Sequence, residues 1–373
     1  TWPARTAGLV PQAEPLIVET LLTLLEKVAG KKRKTPVESP SFHSRAVEQK
    51  QPIAHWRFQD MTTDGIKDET RDNPAGYYGG VALFLPGANS QGFETDGYGN
   101  RAVYLAGGHV EAALKQQPKQ YSVNIWFRNR LPAGIREVTA CLCMTRAETL
   151  EIAGTAEGPL AGNLVLRHGG KVWMGKTPIA TGHWQCVTLT KDQNTIRVYL
   201  DGRAEPEIEA PVSALPPMNR LLIGTDRCGA SLDGELDDVA VFDRALSGDD
   251  VASLYGVSRM VPPPRPKPTL MLEAKPVEAD AREQYSKVIM ASKPIAYWRL
   301  HDEAAGIARD FTGDHDARYE TGAKPLGEKT GLPNFSGGRI NAQVDALNDT
   351  YSIEFWFRNK MPVQQRPVTA YLF

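Results

Sequence analysis

Oxygen-bearing side chains are gathered in two parts of the chain: Asp60, Asp68, Asp72 and Asn73 in an early loop-like stretch, and Asp237 in a late strand-like one. Calcium takes roughly six to eight oxygen ligands, and loop-borne Asp and Asn supply them, so Asp68, Asp72, Asn73 and Asp237 are the candidate metal ligands. The competing reading makes the same residues surface carboxylates and turn formers. Aromatic side chains suggest a second chemistry. Flat rings pack on pyranose faces, and Trp173 and Trp184 in the middle of the chain, with Tyr77, Tyr78 and Tyr98 nearer its start, are the candidate sugar-binding residues. Nucleophilic catalysis finds less support, because His55, His109, His168 and His183 have no Ser, Cys or Asp at a spacing that proposes a triad. The four cysteines, Cys141, Cys143, Cys186 and Cys228, contain no CxxC pair, and His183 with Cys186 is half a zinc motif. Buried free thiols fit the cysteine count, and so does pairing of Cys141 or Cys143 with Cys186 or Cys228.

Short strands must position these residues. IAHWRFQD sets Ala54, Trp56 and Phe58 against Ile53, His55 and Arg57, and YSVNIWFRN sets Tyr121, Val123, Ile125 and Phe127 against Ser122, Asn124, Trp126 and Arg128. Both are period-two patterns. NLVLRHGGKVWMG at 163–175 reads as a hairpin around Gly169 and Gly170, and HWQCVTLT with TIRVYLDG as another. RLLIG at 220–224 and the segment 232–246 are further strands. Ser247, with Asp250 three residues on, opens a small helix over 247–256 in near capping-box form. Another short helix is expected over 15–30, and brief helical turns before Pro52 and Pro294.

The chain also repeats itself. PIAHWRFQD at 52–60 returns as PIAYWRLHD at 294–302, YSVNIWFRNRL at 121–131 as YSIEFWFRNKM at 351–361, and REVTACL at 136–142 as RPVTAYL at 366–372. Asp302, Asp310, Asp314 and Asp316 fall in the loop equivalent to the first acidic stretch. VPPPRPKPTLMLEAKPVEAD at 261–280 has the Pro-rich, charged composition of a spacer, and the KKRK run at 31–34 reads as solvated linker. With 43 basic and 44 acidic residues the net charge is -1, which argues against nucleic acid held by phosphate contacts. No run reaches the ~18 apolar residues of a membrane span.

The ordered set PIAHWRFQD, YSVNIWFRN, the 183–202 hairpin, RLLIG and GELDDVAVFDRALSGDDVASLYG resembles a laminin G-like domain of the concanavalin A-like lectin and glucanase superfamily. The last segment is the most specific, with Gly234, Leu236, Asp237, Asp238, Val239, Val241, Phe242 and the Arg244 to Ser247 helix start filling the family pattern. DETRDNPAGYY at 68–78 departs from it. The resemblance implies an all-β, concanavalin A-like jelly-roll sandwich of antiparallel sheets in tandem copies, the second incomplete, with short flanking helices. The expected division is 1–41 for an N-terminal helix and linker, 42–256 for a jelly roll, 257–285 for a Pro-rich linker and 286–373 for a truncated second jelly roll. Laminarinase-like relatives place Glu, Asp and Glu at alternate positions of one strand, since retaining hydrolysis needs two carboxylates roughly 5 Å apart. Glu235 and Asp237 match the first two, but Val239 and Ala240 stand where the last Glu belongs. The resemblance therefore implies recognition without catalysis by a piece of a larger exported protein. Its partner is a polysaccharide or glycan, with calcium as an optional cofactor. The alternative is an extracellular protein partner, in an adhesion or scaffolding module beside a catalytic domain.

Overall fold

The computed structural model describes residues 39–359 apart from 133–139, 213–215, 228–229, 265–278, 303–305, 321–322, 325–332, 336–337 and 348. The helix expected over 15–30, the KKRK run, Cys228 and the RPVTAYL block lie outside the described residues. Helix α1 (Phe42–Gln49) is followed by strands β1 (Ala54–Trp56), β2 (Ala75–Tyr78), β3 (Val81–Pro86), β4 (Arg101–Ala106), β5 (His109–Ala113), β6 (Tyr121–Asn129), β7 (Ala140–Met144) and β8 (Glu148–Ile152). Then come β9 (Asn163–His168), β10 (Lys171–Pro178), β11 (Trp184–Lys191), β12 (Thr195–Leu200), β13 (Ile208–Pro211), β14 (Arg220–Ile223), β15 (Asp233–Phe242) and helix α2 (Gly248–Ser258). Two antiparallel sheets result. The first runs β13-β12-β11-β6-β15-β4-β3 with β1 also on β15, and the second β10-β9-β8-β7-β14-β5-β2. This is a mostly β sandwich with few helices, consistent with a jelly roll.

Period two explains what lies between the sheets. Tyr121, Val123, Ile125 and Phe127 of β6 join Trp56, Leu150, Leu166, Val187 and Val239 in one core. The opposite face of β6 is buried as well, because helices cover it. Ser41 accepts the Ser44 N–H to open α1, and the Ser247–Asp250 capping box opens α2. Val251 and Leu254 of α2 pack with Val47 of α1 over Ala240 and Phe242. Trp126 stacks on Tyr255 at 5.4 Å and meets Phe93 edge-on at 5.0 Å. The turn at Gly169 and Gly170 takes positive φ at both residues, which closes the β9–β10 hairpin as its sequence predicts. Cys141, Cys143 and Cys186 are buried free thiols, and burial pushes Cys143 up to about 12.

A local pattern recurs further along. Asp68 accepts the backbone N–H groups of His55 and Thr70 and the Thr70 hydroxyl, while that hydroxyl also reaches Ile53 O. Asp310 does the same for Tyr297 and Thr312, whose hydroxyl reaches Ile295 O. Tyr77 to Asp60 likewise corresponds to Tyr319 to Asp302. The segment 351–359 differs from its counterpart β6: it forms no strand among the described residues, and Trp356 is 81% exposed. Trp126 of β6, by contrast, is fully buried.

Candidate functional site

Among the described residues, the expected calcium ligands are engaged by protein donors. Asp68 is a loop organiser: its oxygens accept N–H donors from His55, Thr70, Asp72 and Asn73, and the Asn73 amide as well. Burial alone would raise its pKa, but the amide and hydroxyl donors outweigh burial and hold it below the usual carboxylate range. Donors aimed at both oxygens are the surroundings of a structural carboxylate, not of a cation ligand. Asp72 pairs with Lys115 at 3.3 Å, and the Asn73 carbonyl accepts the Lys115 N–H. Asp237 stands apart, receiving Ala88 N–H at 2.7 Å and the Asn100 amide at 2.5 Å on one oxygen. Its other oxygen is buried with no partner among the described residues. Burial and the neighbouring Asp238 charge push its carboxyl well above the ordinary value, toward the neutral acid. Among the described residues no group of three or more His, Cys, Asp or Glu converges to hold a metal.

A polar network missed by the sequence reading lies under α1. The β15–β6 register shifts between Leu236 and Val239, and this bulge turns two adjacent acids to separate partners. Asp238 meets His55 Nε2 at 2.5 Å and His43 Nδ1 at 3.4 Å, and Trp126 donates its indole N–H to His43 Nε2 at 3.1 Å. That bond makes Nε2 the acceptor and leaves the His43 ring proton on Nδ1, facing Asp238. Burial would lower the His55 imidazolium, but the Asp238 carboxylate outweighs it and holds His55 above its ordinary value. Burial would likewise raise Asp238, but His55 and His43 hold it well below. The pair's contribution is thus complete between the ordinary carboxyl value of 3.8 and the ordinary imidazole value of 6.5. It fades as pH rises through the raised His55 value, and as pH falls through the lowered Asp238 value. The wild type is expected to lose stability in thermal unfolding as pH climbs above about 6.5. His55→Gln should show a shallower slope; an unchanged slope in the variant would place its origin elsewhere.

The five aromatic candidates do not share a surface. Tyr77 points inward and donates its hydroxyl to Asp60 at 2.9 Å, while Tyr78, next on the strand, points outward and is 50% exposed. Trp184 is buried beneath the Arg128 guanidinium, 4.9 Å above its ring. Tyr98 is half-buried, edge-on to Phe84 at 5.6 Å. Trp173 is half-buried on β10, which is one edge of the second sheet, whereas β2 with Tyr77 and Tyr78 is the other edge. Trp173 lines a cleft of about 500 Å³ between β10 and the β12–β13 turn, with Met174, Lys176, Glu205, Glu207 and Glu209. Glu207 fixes one wall by accepting the Lys176 and Thr177 N–H groups at 2.9 and 3.0 Å. This also occupies amides on the free edge of β10.

Glu235 and Asp237, the two acids of β15 at the positions matching the laminarinase-like pattern, are both engaged. Glu235 is clamped by Arg128 and Arg130, with contacts of 2.7 and 2.5 Å. No helix among the described residues is long and apolar enough to cross a membrane.

Residues 101–252 match the family model of laminin G-like domains described as the concanavalin A-like lectin/glucanases superfamily. No curated protein matches the chain. Among solved structures, domain 4 of an extracellular arabinanase from Geobacillus stearothermophilus, in complex with arabinotriose, is 17% identical with a TM-score of 0.40. The alignment covers 55% of this chain and 98% of that domain. The botulinum neurotoxin serotype D binding domain is 13% identical with a TM-score of 0.42, over 56% of this chain and 52% of that one. A botulinum neurotoxin type C structure, described as dependent on two ganglioside molecules for cell entry, is 13% identical with a TM-score of 0.40, over 57% and 53%.

Proposed function

We propose that residues 42–256 form a non-catalytic carbohydrate-recognition module of a larger exported protein, followed by a second copy of the same kind. The observation that carries this reading is the Trp173 cleft. Its volume suits a sugar unit, an aromatic face lines it, and Lys176, Glu205 and Glu209 stand at its lips as hydrogen-bonding groups. The match of residues 101–252 to a lectin and glucanase family supports it. Recognition rather than hydrolysis is favoured because Glu235 is held by two guanidinium groups, and Val239 and Ala240 occupy the place of a further acid. The acidic lips favour a neutral glycan. Recognition should not require calcium, since the expected ligands are engaged by N–H donors.

A glycan-array screen with calcium and again with EDTA tests the proposal. Binding of neutral oligosaccharides is expected in both conditions, and Trp173→Ala should weaken it at least about tenfold. Binding lost in EDTA would restore a calcium site. No glycan binding in either condition would favour the adhesion or scaffolding reading.

A further inference from the structure

The outer face of the second sheet carries a constellation that the Trp173 cleft does not use. Register brings it together: Tyr78 of β2 lies opposite His109 of β5, Glu111 follows on the same face of β5, and Arg220 of β14 lies opposite Ala113. Tyr78 and His109 stack with centroids 5.3 Å apart and planes 17° from parallel. Glu111 receives two guanidinium groups, Arg220 from β14 and Arg227 from the turn before β15. Glu111 is 18% exposed, whereas Arg220 and Arg227 keep 46% and 47% of their side-chain surface in solvent. Two cations on one carboxylate leave a net positive charge on the open side.

At the end of this face three glycines leave no room for side chains. A Cβ on Gly80 would stand 2.7 Å from Ala106 O, and one on Gly108 would collide with the Gly80 carbonyl. One on Gly224 would strike Leu105 and reach His109 Cα at 3.7 Å. Glycine permits this approach, so the β2–β3 turn, the β4–β5 turn and the residue after β14 pack closely beside the ring stack. A ligand meeting a fixed surface loses less ordering entropy on binding. Burial, then the charges of Arg227 and Arg220, holds His109 below the ordinary imidazole range, so its ring stacks uncharged.

We propose that Tyr78, His109, Arg220 and Arg227 form a binding site for an acidic glycan, with a sugar ring against the Tyr78–His109 stack and its carboxylate or sulfate on the guanidinium pair. A pyranose offers an apolar C–H face to the rings, and the planar guanidinium fork matches an oxyanion through two parallel hydrogen bonds. Neither group alone selects such a ligand; their adjacency on one rigid face does. The inference rests on the recognition-module reading and names a second ligand class for it, distinct from the neutral glycan of the cleft.

Calorimetric titration of the full chain with oligogalacturonate, a heparin-type sulfated oligosaccharide and a neutral xylo-oligosaccharide tests it. One or both acidic ligands should bind, more weakly as salt rises, and the stronger of the two identifies carboxylate or sulfate as the natural anion. Arg220→Gln and Tyr78→Ala should each weaken acidic-glycan binding about tenfold or more, with Arg220→Lys retaining part of the affinity. Trp173→Ala should leave it unchanged. Thermal unfolding of each variant reports folding, and a chemical-shift response of the His109 ring to acidic ligand in the wild type provides a readout without substitution. Acidic-glycan binding indifferent to Tyr78 and Arg220 overturns the assignment. Binding of the neutral ligand alone, lost in Trp173→Ala, overturns it while leaving the module reading intact. Failure of all three ligands to bind overturns both.

Discussion

Glu235→Ala is expected to lower the unfolding free energy by about 3–5 kcal/mol, the usual cost of stripping one partner from a buried ion pair. Glu235 sits mid-sheet on β15, opposite Arg128 of β6 and Tyr104 of β4, and its side chain is 1% exposed. Arg128 reaches it through Nε at 3.2 Å and Nη2 at 2.7 Å, and Arg130 through Nε at 2.8 Å and Nη2 at 2.5 Å. The two guanidinium groups are only 19% and 16% exposed, so removal of the carboxylate leaves neighbouring like charges without a shared anion. Arg128 also lies over Trp184, and its release should loosen that ring. Glu235→Gln, which keeps acceptor capacity without charge, should cost less. Denaturant unfolding followed by tryptophan fluorescence measures both. A Glu235→Ala protein as stable as the wild type would mean that this carboxylate is not committed to the clamp, and would reopen a chemical role for it.

The contrast between Glu235 and the aromatic candidates shows where sequence patterning succeeds. Alternation over β6, the Gly169–Gly170 turn and the Ser247–Asp250 cap are each decided within ten residues by local sterics and hydrogen bonding, so they can be read without the fold. Tyr77 and Tyr78 were separable by the same rule, since neighbours on a strand face opposite ways and cannot line one site. Trp184 was not separable. It is buried in a cluster with Phe93, Trp126 and Tyr255 and beneath Arg128, which is tied in turn to Glu235, so its burial is set by residues far apart in the chain. Asp238 was hidden for a different reason: a bulge breaks period two at Asp237, and the histidines it meets lie 183 and 195 residues away. The early acids resembled ion ligands because an Asp that accepts loop amides has the same composition and spacing as one that holds a cation. Only the direction of the N–H groups distinguishes them.

Glu148→Gln should raise stability at about pH 8 by about 3 kcal/mol, or roughly 6–12 °C in Tm, and by almost nothing near pH 4. Glu148 begins β8 opposite His168 and shares the inward face of Leu150 and Ile152, so its carboxyl enters the end of the sandwich core. It is 3% exposed, and neither oxygen has a hydrogen-bond partner among the described residues. Lys191 provides the nearest compensating charge, but its ammonium is committed to Lys119 O at 2.5 Å and lies 5.4 Å from the Tyr121 ring. Burial therefore dominates, and Lys191 only partly offsets it, pushing the Glu148 carboxyl from 4.5 to about 7. A carboxyl with a raised value binds its proton more tightly in the folded state, so the wild type is penalised progressively as pH rises from 4.5 to about 7 and fully above that. The uncharged amide of the variant escapes this penalty, while at low pH the two side chains are both neutral and nearly equal in size. This direction is the same as that of the His55 slope, so the comparison is best made between His55→Gln and the His55→Gln/Glu148→Gln double variant, whose difference reports Glu148. A gain of equal size at both ends of the pH range would assign it to packing, and a loss at pH 8 would show that the charged Glu148 is held by Lys191 after all.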